Sequence, residues 1–178
     1  SQGEWVVAEV DESDGTIENF NPEVTVVLNC DWDHADQYGS KNDLEDAFGR
    51  LLGRTRGVIL VPEDNHLGEI ACRCGTCPVK TFGAGGDFTT RIVCGEDGRT
   101  MLEFPEGEER THVEAGALGY FNACNALAAL ATCETVAGSA DPRLLSSFPG
   151  LVRRQATLLQ TELRSVVEDY AHHPTEIH

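Results

Sequence analysis

Residues 24–61 decide the fold, and their sequence is VTVVLNCDWDHADQYGSKNDLEDAFGRLLGRTRGVILV. The stretch begins with a continuous apolar run, Val24–Leu28, which is typical of a strand buried on both faces. Ser40 then begins a helix, because apolar residues follow it at helical spacing as far as Leu52. A second apolar run, Val58–Val61, comes next. Strand, helix and strand in this order predict a right-handed βαβ unit with parallel strands.

An earlier apolar run at residues 5–8 predicts another buried and parallel strand. Acidic residues follow it directly, at Glu9, Asp11, Glu12 and Asp14. The carboxyl edge of an open α/β sheet is where ligands bind, and Mg²⁺ prefers carboxylate oxygens. The acidic segment is therefore a candidate Mg²⁺ site, with a solvated acidic loop as the alternative.

The next strand also ends in polar residues, and these include His34 between Asp33 and Asp36. Adjacent strand ends bring their loops together, so we expect Glu9 and His34 to face one site. A histidine there is suited to holding a second cation or orienting a phosphate. The alternative is a loop histidine with ordinary hydrogen bonds.

The remainder of the chain predicts a small antiparallel lobe from about 79 to 115 and a buried helix from Asn122 to Ala137. Asp141 caps a short helix that reaches about Phe148. Residues 156–165 are compatible with a helix or a loop, and a strand follows at 166–167. The predicted fold class is α/β, with a mostly parallel sheet flanked by helices and the antiparallel lobe beside it.

Two further pairs of side chains are candidates for nucleotide contacts. Asn122 and Asn125 share a helix face, and amides offer a donor and an acceptor to a nucleobase edge. Helix capping is the alternative for Asn122. Arg153 and Arg154 are suited to binding phosphate, with a surface ion pair as the alternative.

Two groups of metal-ligand residue types remain open. His172 and His173 follow the last predicted strand, where a loop with one hydrogen-bonded histidine is the alternative to a metal site. The second group consists of cysteines, and zinc needs four ligands of this type. Its members are Cys72, Cys74 and Cys77, with Cys94 as the candidate fourth ligand.

The composition restricts the classes of partner. Thirteen Lys and Arg residues stand against 30 Asp and Glu residues, and the formal net charge is −17. Such a surface repels nucleic-acid backbones. No apolar run approaches the roughly 20 residues that a transmembrane helix needs. Seven cysteines, an odd number, favour a reducing cytoplasm over a secreted disulfide framework.

Taken together, five segments resemble the Mur ligases, the amide ligases of cell-wall precursor synthesis. The segments are Val7–Gly15, Asn29–Gly39, Gly119–Ala129, Phe148–Arg154 and Asp169–Glu176. They occur in the family's order and span nearly the whole chain, with the weakest likeness at 63–112. The family usually has histidine where Phe121 stands.

The resemblance implies ATP and Mg²⁺ as cofactors. It implies that Glu9 binds the Mg²⁺ of ATP and that His34 serves a second cation, with His34 and Arg153 as catalytic residues. Asn122 and Asn125 are expected to contact the adenine.

The resemblance places the last nucleotide contacts at the junction with a further domain. Arg153 and Asp169 are expected on the nucleotide side of that junction. Residues 1–165 would form the central ATP-binding domain, and residues 166–178 would begin the C-terminal ligase domain, which binds the incoming amino acid.

The reaction implied is ATP-driven addition of L-alanine to UDP-N-acetylmuramate. The sugar-nucleotide carboxylate attacks the γ-phosphate, and an amine captures the acyl phosphate. Alternatives are a ligase that adds a recycled tripeptide to the same sugar nucleotide, a non-catalytic domain of the same family, and a zinc-binding interaction module.

The sequence contains no Gly-x-x-Gly-Lys-Thr-type loop, which the family places before residue 1. We therefore expect no ATP turnover from this chain alone. We also expect exposed sheet edges that lead to a homodimer or to aggregation.

Overall fold

The computed structural model describes residues 3–95, 99–106, 109–115, 119–151, 153–172 and 177. The chain divides into two compact units, Ser1–Thr81 and Phe82–His178. Each unit is described below by itself. No helix in the described ranges has both the length and the apolar character needed to cross a membrane.

The first unit contains the predicted strand, helix and strand. Its elements are β1 (Val24–Val26), α1 (Lys41–Arg54), β2 (Val58–Pro62), α2 (Asn65–Cys74) and the start of β3 (Val79–Gly83). β1 pairs with β2 in parallel, with Val24 opposite Val58. The parallel pairing confirms the βαβ connection predicted from residues 24–61.

α1 forms because its apolar residues recur on one face and its first turn is capped. The Ser40 side chain accepts a hydrogen bond from the Asp43 backbone N–H, as an N-cap residue does. The buried face packs into the core of this unit, which also includes Ile17, Val27 and Tyr38. The α1 residues on that face are Leu44, Ala47, Phe48, Gly49, Leu51 and Leu52.

A buried pair of hydroxyls joins β1 to the end of α1. The Oγ1 atoms of Thr25 and Thr55 lie 2.6 Å apart, and both residues are buried. The Thr55 hydroxyl also donates to the Leu51 carbonyl at 3.3 Å. Each hydroxyl is therefore satisfied inside the core, as buried polar groups require.

α2 was not predicted, although the sequence carries its signals. The Asp64 side chain accepts a hydrogen bond from the Leu67 N–H at 2.8 Å and caps the helix. Leu67, Ile70 and Ala71 are buried against the core at helical spacing.

The strand predicted at residues 5–8 is wrong. These residues adopt no regular secondary structure, and the side chains of Val6 and Val7 are 88% and 92% exposed. A strand needs a hydrogen-bonding neighbour. β1 stands first in the strand order β1–β2–β3–β4, where β4 is Phe88–Thr89, and residues 5–8 join none of these strands.

The second unit contains the predicted antiparallel lobe, in a shorter form. β5 (Arg91–Cys94), β6 (Thr100–Glu106) and β7 (Glu109–Glu114) form a three-stranded antiparallel sheet. Residues 79–89, which were predicted in the lobe, instead belong to the sheet of β3 and β4, where Phe82 pairs in parallel with Phe88. The lobe therefore begins at β5. Residues 96–98, between β5 and β6, lie outside the described residues.

The helical part of the second unit matches the prediction. α3 (Tyr120–Ala137) packs its Ala-rich face on Leu102 and Ala115, and Gly138 ends it with a φ of 75°. Residues Pro142–Ser147 form a 3-10 helix capped by the Asp141 side chain. These contacts confirm the α/β class with an antiparallel lobe.

The end of the chain contains a hairpin that was only half predicted. β8 (Ala156–Gln160) and β9 (Ser165–Glu168) pair antiparallel. The strand at 166–167 is confirmed. The helix or loop considered for 156–165 is wrong for the first half of that range, because β9 supplies β8 with a backbone partner.

Candidate functional site

Asp11, Glu12 and His34 form a group in the first unit. One side-chain ligand atom from each residue lies within 4.8 Å of the other two. His34 Nε2 lies 3.6 Å from Glu12 Oε1. Both of those side chains are 28% exposed and Asp11 is exposed, so the group is open to a small ion.

The backbone around Glu12 is fixed by hydrogen bonds from two parts of the chain. Its carbonyl accepts from the Gly15 N–H at 2.9 Å and from the Tyr38 hydroxyl at 2.7 Å. Gly15 has a φ of 72°, and a Cβ there would lie 2.6 Å from the Gln37 side chain. The positive φ favours glycine in this turn, and a larger residue would also have to push the end of the Gln37 side chain aside.

His34 is held in a tight turn after β1. Its φ is 54°, in the left-handed region where histidine is enriched among non-glycine residues. Its N–H donates to Asp33 Oδ1 at 2.7 Å, and its carbonyl accepts from the Gln37 and Tyr38 N–H groups at 2.9 Å. This turn points the imidazole back towards Glu12.

The electrostatics of the group favour a bound cation. The pKa of Asp11 lies below its usual value, mainly because the Ser13 side chain hydrogen-bonds to the carboxylate, with a further contribution from the Ser13 backbone N–H. That carboxylate is therefore ionised at neutral pH and can bind a cation beside the His34 ring.

The distances in the group suit a divalent ion after a small adjustment. Two ligands of one Mg²⁺ or Mn²⁺ ion lie at most about 4.2 Å apart, given bonds of about 2.1 Å. Glu12 and His34 already satisfy that limit at 3.6 Å. Asp11 offers a third ligand atom within 4.8 Å of both. The donor set therefore fits such an ion.

Glu9 is not a member of this group. It is exposed, in the segment that precedes Asp11. Its assignment to Mg²⁺ remains a prediction, whereas Asp11 and Glu12 are the carboxylates that the structure places beside His34.

The two asparagines lie at the start of α3 in the second unit. Gly119 is the N-cap residue, with a φ of 92°, and no side chain caps the helix. Asn122 is therefore not the cap, and the capping alternative is wrong. Asn122 is half-buried in the first turn, and Asn125 is exposed one turn later.

Arg153 and Asp169 are brought together beside the β8–β9 hairpin. The Tyr170 N–H donates to the Arg153 carbonyl at 2.9 Å, and the Gln155 N–H donates to Asp169 Oδ2 at 3.0 Å. Hydrogen bonds from the backbone, above all from Ala171, hold the pKa of Asp169 below its usual range. Asp169 therefore fixes the turn as a carboxylate.

A tyrosine that sequence reasoning did not single out organises the arginine pair. The guanidinium carbons of Arg153 and Arg154 lie 5.4 and 5.7 Å from the centroid of the Tyr170 ring, within cation–π range. Arg153 Nε also lies 3.4 Å from Glu168. The only sequence signal was an aromatic residue next to acidic strand-end residues.

The candidate histidine pair is only partly described. The His172 ring stands edge-on to Tyr170, and its Nδ1 lies 3.0 Å from the Tyr170 carbonyl. This agrees with the alternative of a hydrogen-bonded loop histidine. His173 lies outside the described residues.

The cysteine cluster does not form a zinc site in the described part of the chain. Cys72 and Cys74 stand two positions apart on α2, so they point to different faces of the helix. Cys72 is exposed, while Cys74 and Cys77 pack against the core. The single metal-ligand group among the described residues is that of His34.

Comparison with known proteins identifies the family. The family described as Mur ligase middle domain matches residues 1–133. The chain belongs to the Mur ligase family. Among its relatives, the UDP-N-acetylmuramate–L-alanine ligase of Desulforamulus reducens is 35% identical over 185 residues, which cover 99% of this chain and 40% of that ligase.

Solved Mur ligases share the fold of this chain. The MurF ligase from Acinetobacter baumannii superposes with a TM-score of 0.73 at 21% identity, over 93% of this chain and 38% of that one. The MurF ligase from Thermotoga maritima in complex with ADP superposes with a TM-score of 0.66 at 18% identity. The match covers 88% of this chain and 37% of that ligase. This chain spans about two fifths of the length of the Mur ligases that it matches.

Proposed function

We propose that this chain is the ATP-binding part of a cytoplasmic ligase that adds L-alanine to UDP-N-acetylmuramate in peptidoglycan precursor synthesis. The names of its relatives support the substrates, since the L-alanine ligase of Desulforamulus reducens aligns with 99% of the chain. The reaction proceeds through an acyl phosphate, because a carboxylate must be activated before an amine can displace its oxygen.

The observation that carries the proposal is the group formed by Asp11, Glu12 and His34. These residues hold Mg²⁺, with Glu9 as a further ligand from the same segment. When bound, Mg²⁺ neutralises the charge on phosphate oxygens in phosphoryl transfer. His34 contributes a ring nitrogen, and the hydrogen-bonded turn that carries it fixes the direction of the ring.

The second unit supplies the contacts for the nucleotide. Asn122 and Asn125 bind the adenine edge through their amides. Arg153 binds phosphate oxygens as a catalytic residue, and Asp169 keeps the turn that carries it in place. Stacking on Tyr170 leaves the N–H edge of a guanidinium available to an anion.

Cation binding by the chain tests the proposal directly. Titration with Mn²⁺, followed by electron paramagnetic resonance of the free ion, should show one site on the wild-type chain. His34→Ala should weaken that site by about tenfold or more, because it removes a ligand from a group of three. His66→Ala is the matched control, since His66 lies in the same unit and pairs instead with Glu45.

Equal Mn²⁺ affinity in the wild type and in His34→Ala would contradict the proposal.

Two alternatives have specific observations in their favour. The loop Asp33-His34-Ala35-Asp36 suits a ligase that adds a recycled tripeptide to the same sugar nucleotide. Phe121, which stands where the family usually has histidine, suits a non-catalytic member of the family. Comparing L-alanine with the tripeptide as acceptor, in the full-length product of the gene, separates all three outcomes.

A further inference from the structure

A cavity of about 390 Å³ opens in the second unit, apart from every residue used in the proposed ligase chemistry. The antiparallel sheet and the start of α3 form its walls. The residues that decide its chemistry are Arg91, Ile92, Glu103, Arg110 and Tyr120. A volume of this size is within the range of small-molecule sites.

Glu103 is the buried centre of this cavity. Its side chain is 7% exposed and forms an ion pair with Arg110, and the Nε2 atom of His112 lies 3.4 Å away. The hydrogen bond from Arg110 holds the pKa of Glu103 below its usual range. The Glu103 carboxylate is therefore ionised, and one negative charge is fixed at the bottom of the cavity.

The cations around Glu103 outnumber it. Arg91 and Arg110 are both permanently charged, so the two arginines leave a net positive charge even when His112 is neutral. Arg91 Nη1 lies 4.0 Å from Glu103, which is too far for a hydrogen bond. The donors of Arg91 therefore remain available to a ligand, and its side chain is 72% exposed at the mouth.

The other polar groups of the wall are already engaged. The Thr90 hydroxyl donates to the Glu103 carbonyl at 2.7 Å, and the Thr89 hydroxyl donates to the Ala84 carbonyl at 2.7 Å. Between them, Ile92 and the 62%-exposed ring of Tyr120 offer apolar surface. The cavity thus combines one cationic end with an apolar wall.

We propose that this cavity binds a small organic anion, with its carboxylate or phosphate group on Arg91 and its apolar body against Ile92 and Tyr120. The first turn of α3 begins at Tyr120 and adds partial positive charge on the same side. The net charge of −17 excludes large polyanions, because the rest of the surface repels them. A compact ligand with a single acidic group fits both conditions.

The proposal can be tested by NMR titration of the ¹⁵N-labelled chain in EDTA, so that divalent cations play no part. The probes are phenyl phosphate and benzoate, with phenol as the uncharged control. Saturable shifts of the Arg91 and Ile92 amides, with a dissociation constant of about 1 mM or tighter, are expected for at least one of the two anions. Which anion saturates assigns the acidic group.

Two variants locate the binding. Arg91→Gln should weaken it by about tenfold, because it removes a charge-assisted hydrogen bond without uncovering Glu103, which keeps Arg110. Arg143→Gln should change nothing, since Arg143 pairs with Asp141 elsewhere in the same unit. Linear shifts up to 50 mM of both anions (about fifty times the expected constant), equal shifts with phenol, or unchanged affinity in Arg91→Gln would each overturn the proposal.

Discussion

The ring nitrogen Nε2 of His34 lies 3.6 Å from Oε1 of Glu12, although β1 separates the two residues along the chain. Neither residue belongs to a strand or helix, so the approach depends on loop hydrogen bonds rather than on regular structure. The decisive link is the Tyr38 hydroxyl, which donates to the Glu12 carbonyl at 2.7 Å from the far side of the His34 turn.

Tyr38→Phe should loosen the cation site without unfolding the chain. The ring of Tyr38 is 5% exposed and packs in the core, and phenylalanine keeps that packing. The lost hydrogen bond costs about 0.5–1.5 kcal/mol. We expect Mn²⁺ affinity to fall by about three- to tenfold. Unchanged affinity together with lower stability would show that Tyr38 supports only the fold.

Replacing either of two helix glycines with alanine should change the stability of the chain, in opposite directions at the two positions. A Cβ at Gly49 in α1 would lie 2.9 Å from Cys74 Sγ, so Gly49→Ala should destabilise the chain by about 1–3 kcal/mol. Gly68 in α2 has no atom within 4 Å of its Cβ position, so Gly68→Ala should stabilise it by about 0.5–1 kcal/mol. Urea unfolding of both variants measures the two changes, and equal signs would refute this packing.

Glu103 should make stability depend on acidity. Its folded pKa lies below the ordinary value of 4.5 because Arg110 hydrogen-bonds to it. The stabilisation is therefore present above about pH 4.5 and is lost as the pH falls through the lower folded pKa. Glu103→Gln should have a lower urea midpoint than the wild type at pH 7. The difference between the two midpoints should be smaller at pH 3.

The matched control for that experiment is Glu162→Gln. Glu162 is exposed in the loop between β8 and β9. Its substitution should shift the urea midpoint by the same small amount at both pH values. If the difference in urea midpoint between Glu103→Gln and the wild type is the same at pH 7 and pH 3, the pairing with Arg110 does not contribute to stability.

Cys30 should react slowly with alkylating agents. Burial, and then the nearby Glu45 carboxylate, raise the pKa of its thiol from 9.0 to about 11. At pH 8 this leaves about one hundredth of the thiolate that an ordinary cysteine has. We expect iodoacetamide, followed by mass spectrometry, to modify the exposed Cys72 and Cys133 about a hundredfold faster. Equal rates would show that Cys30 is open to solvent.

The same shift has a consequence for stability. The folded pKa of Cys30 is raised, so its contribution is present below the unfolded pKa and is lost as the pH rises towards 11. Cys30→Ser should therefore show a smaller loss of stability between pH 8 and pH 10 than the wild type.

The pattern of apolar residues correctly predicted the helix and strands of residues 24–61, whose packing partners lie close by in the sequence. The βαβ connection at 24–61 was correct, and the buried residues of α1 and β2 belong to one core cluster. Residues 5–8 have the same apolar character and form no strand, because a strand also needs a backbone neighbour, which a sequence pattern does not report. β8 is an exception, because it was missed although its partner β9 follows directly in the chain.

The candidate site was predicted as a region rather than as a set of contacts. The acidic segment and His34 were expected to meet, and they do, through Asp11 and Glu12. Which carboxylate of that segment faces His34 depends on the Gly15 turn and on the Tyr38 hydrogen bond. Both are tertiary features, so sequence spacing alone did not separate Glu9 from its neighbours.

The hydroxyl pair of Thr25 and Thr55 restricts the order in which mutations can accumulate. Thr25→Val leaves the Thr55 hydroxyl donating to Leu51, whereas Thr55→Val leaves the Thr25 hydroxyl buried without its partner, at a cost of about 1–3 kcal/mol. A lineage that drifts towards a valine pair at these positions is therefore expected to pass through the change at 25 first. The route back runs through 55 first, so both routes pass through the same intermediate, with valine at 25 and threonine at 55.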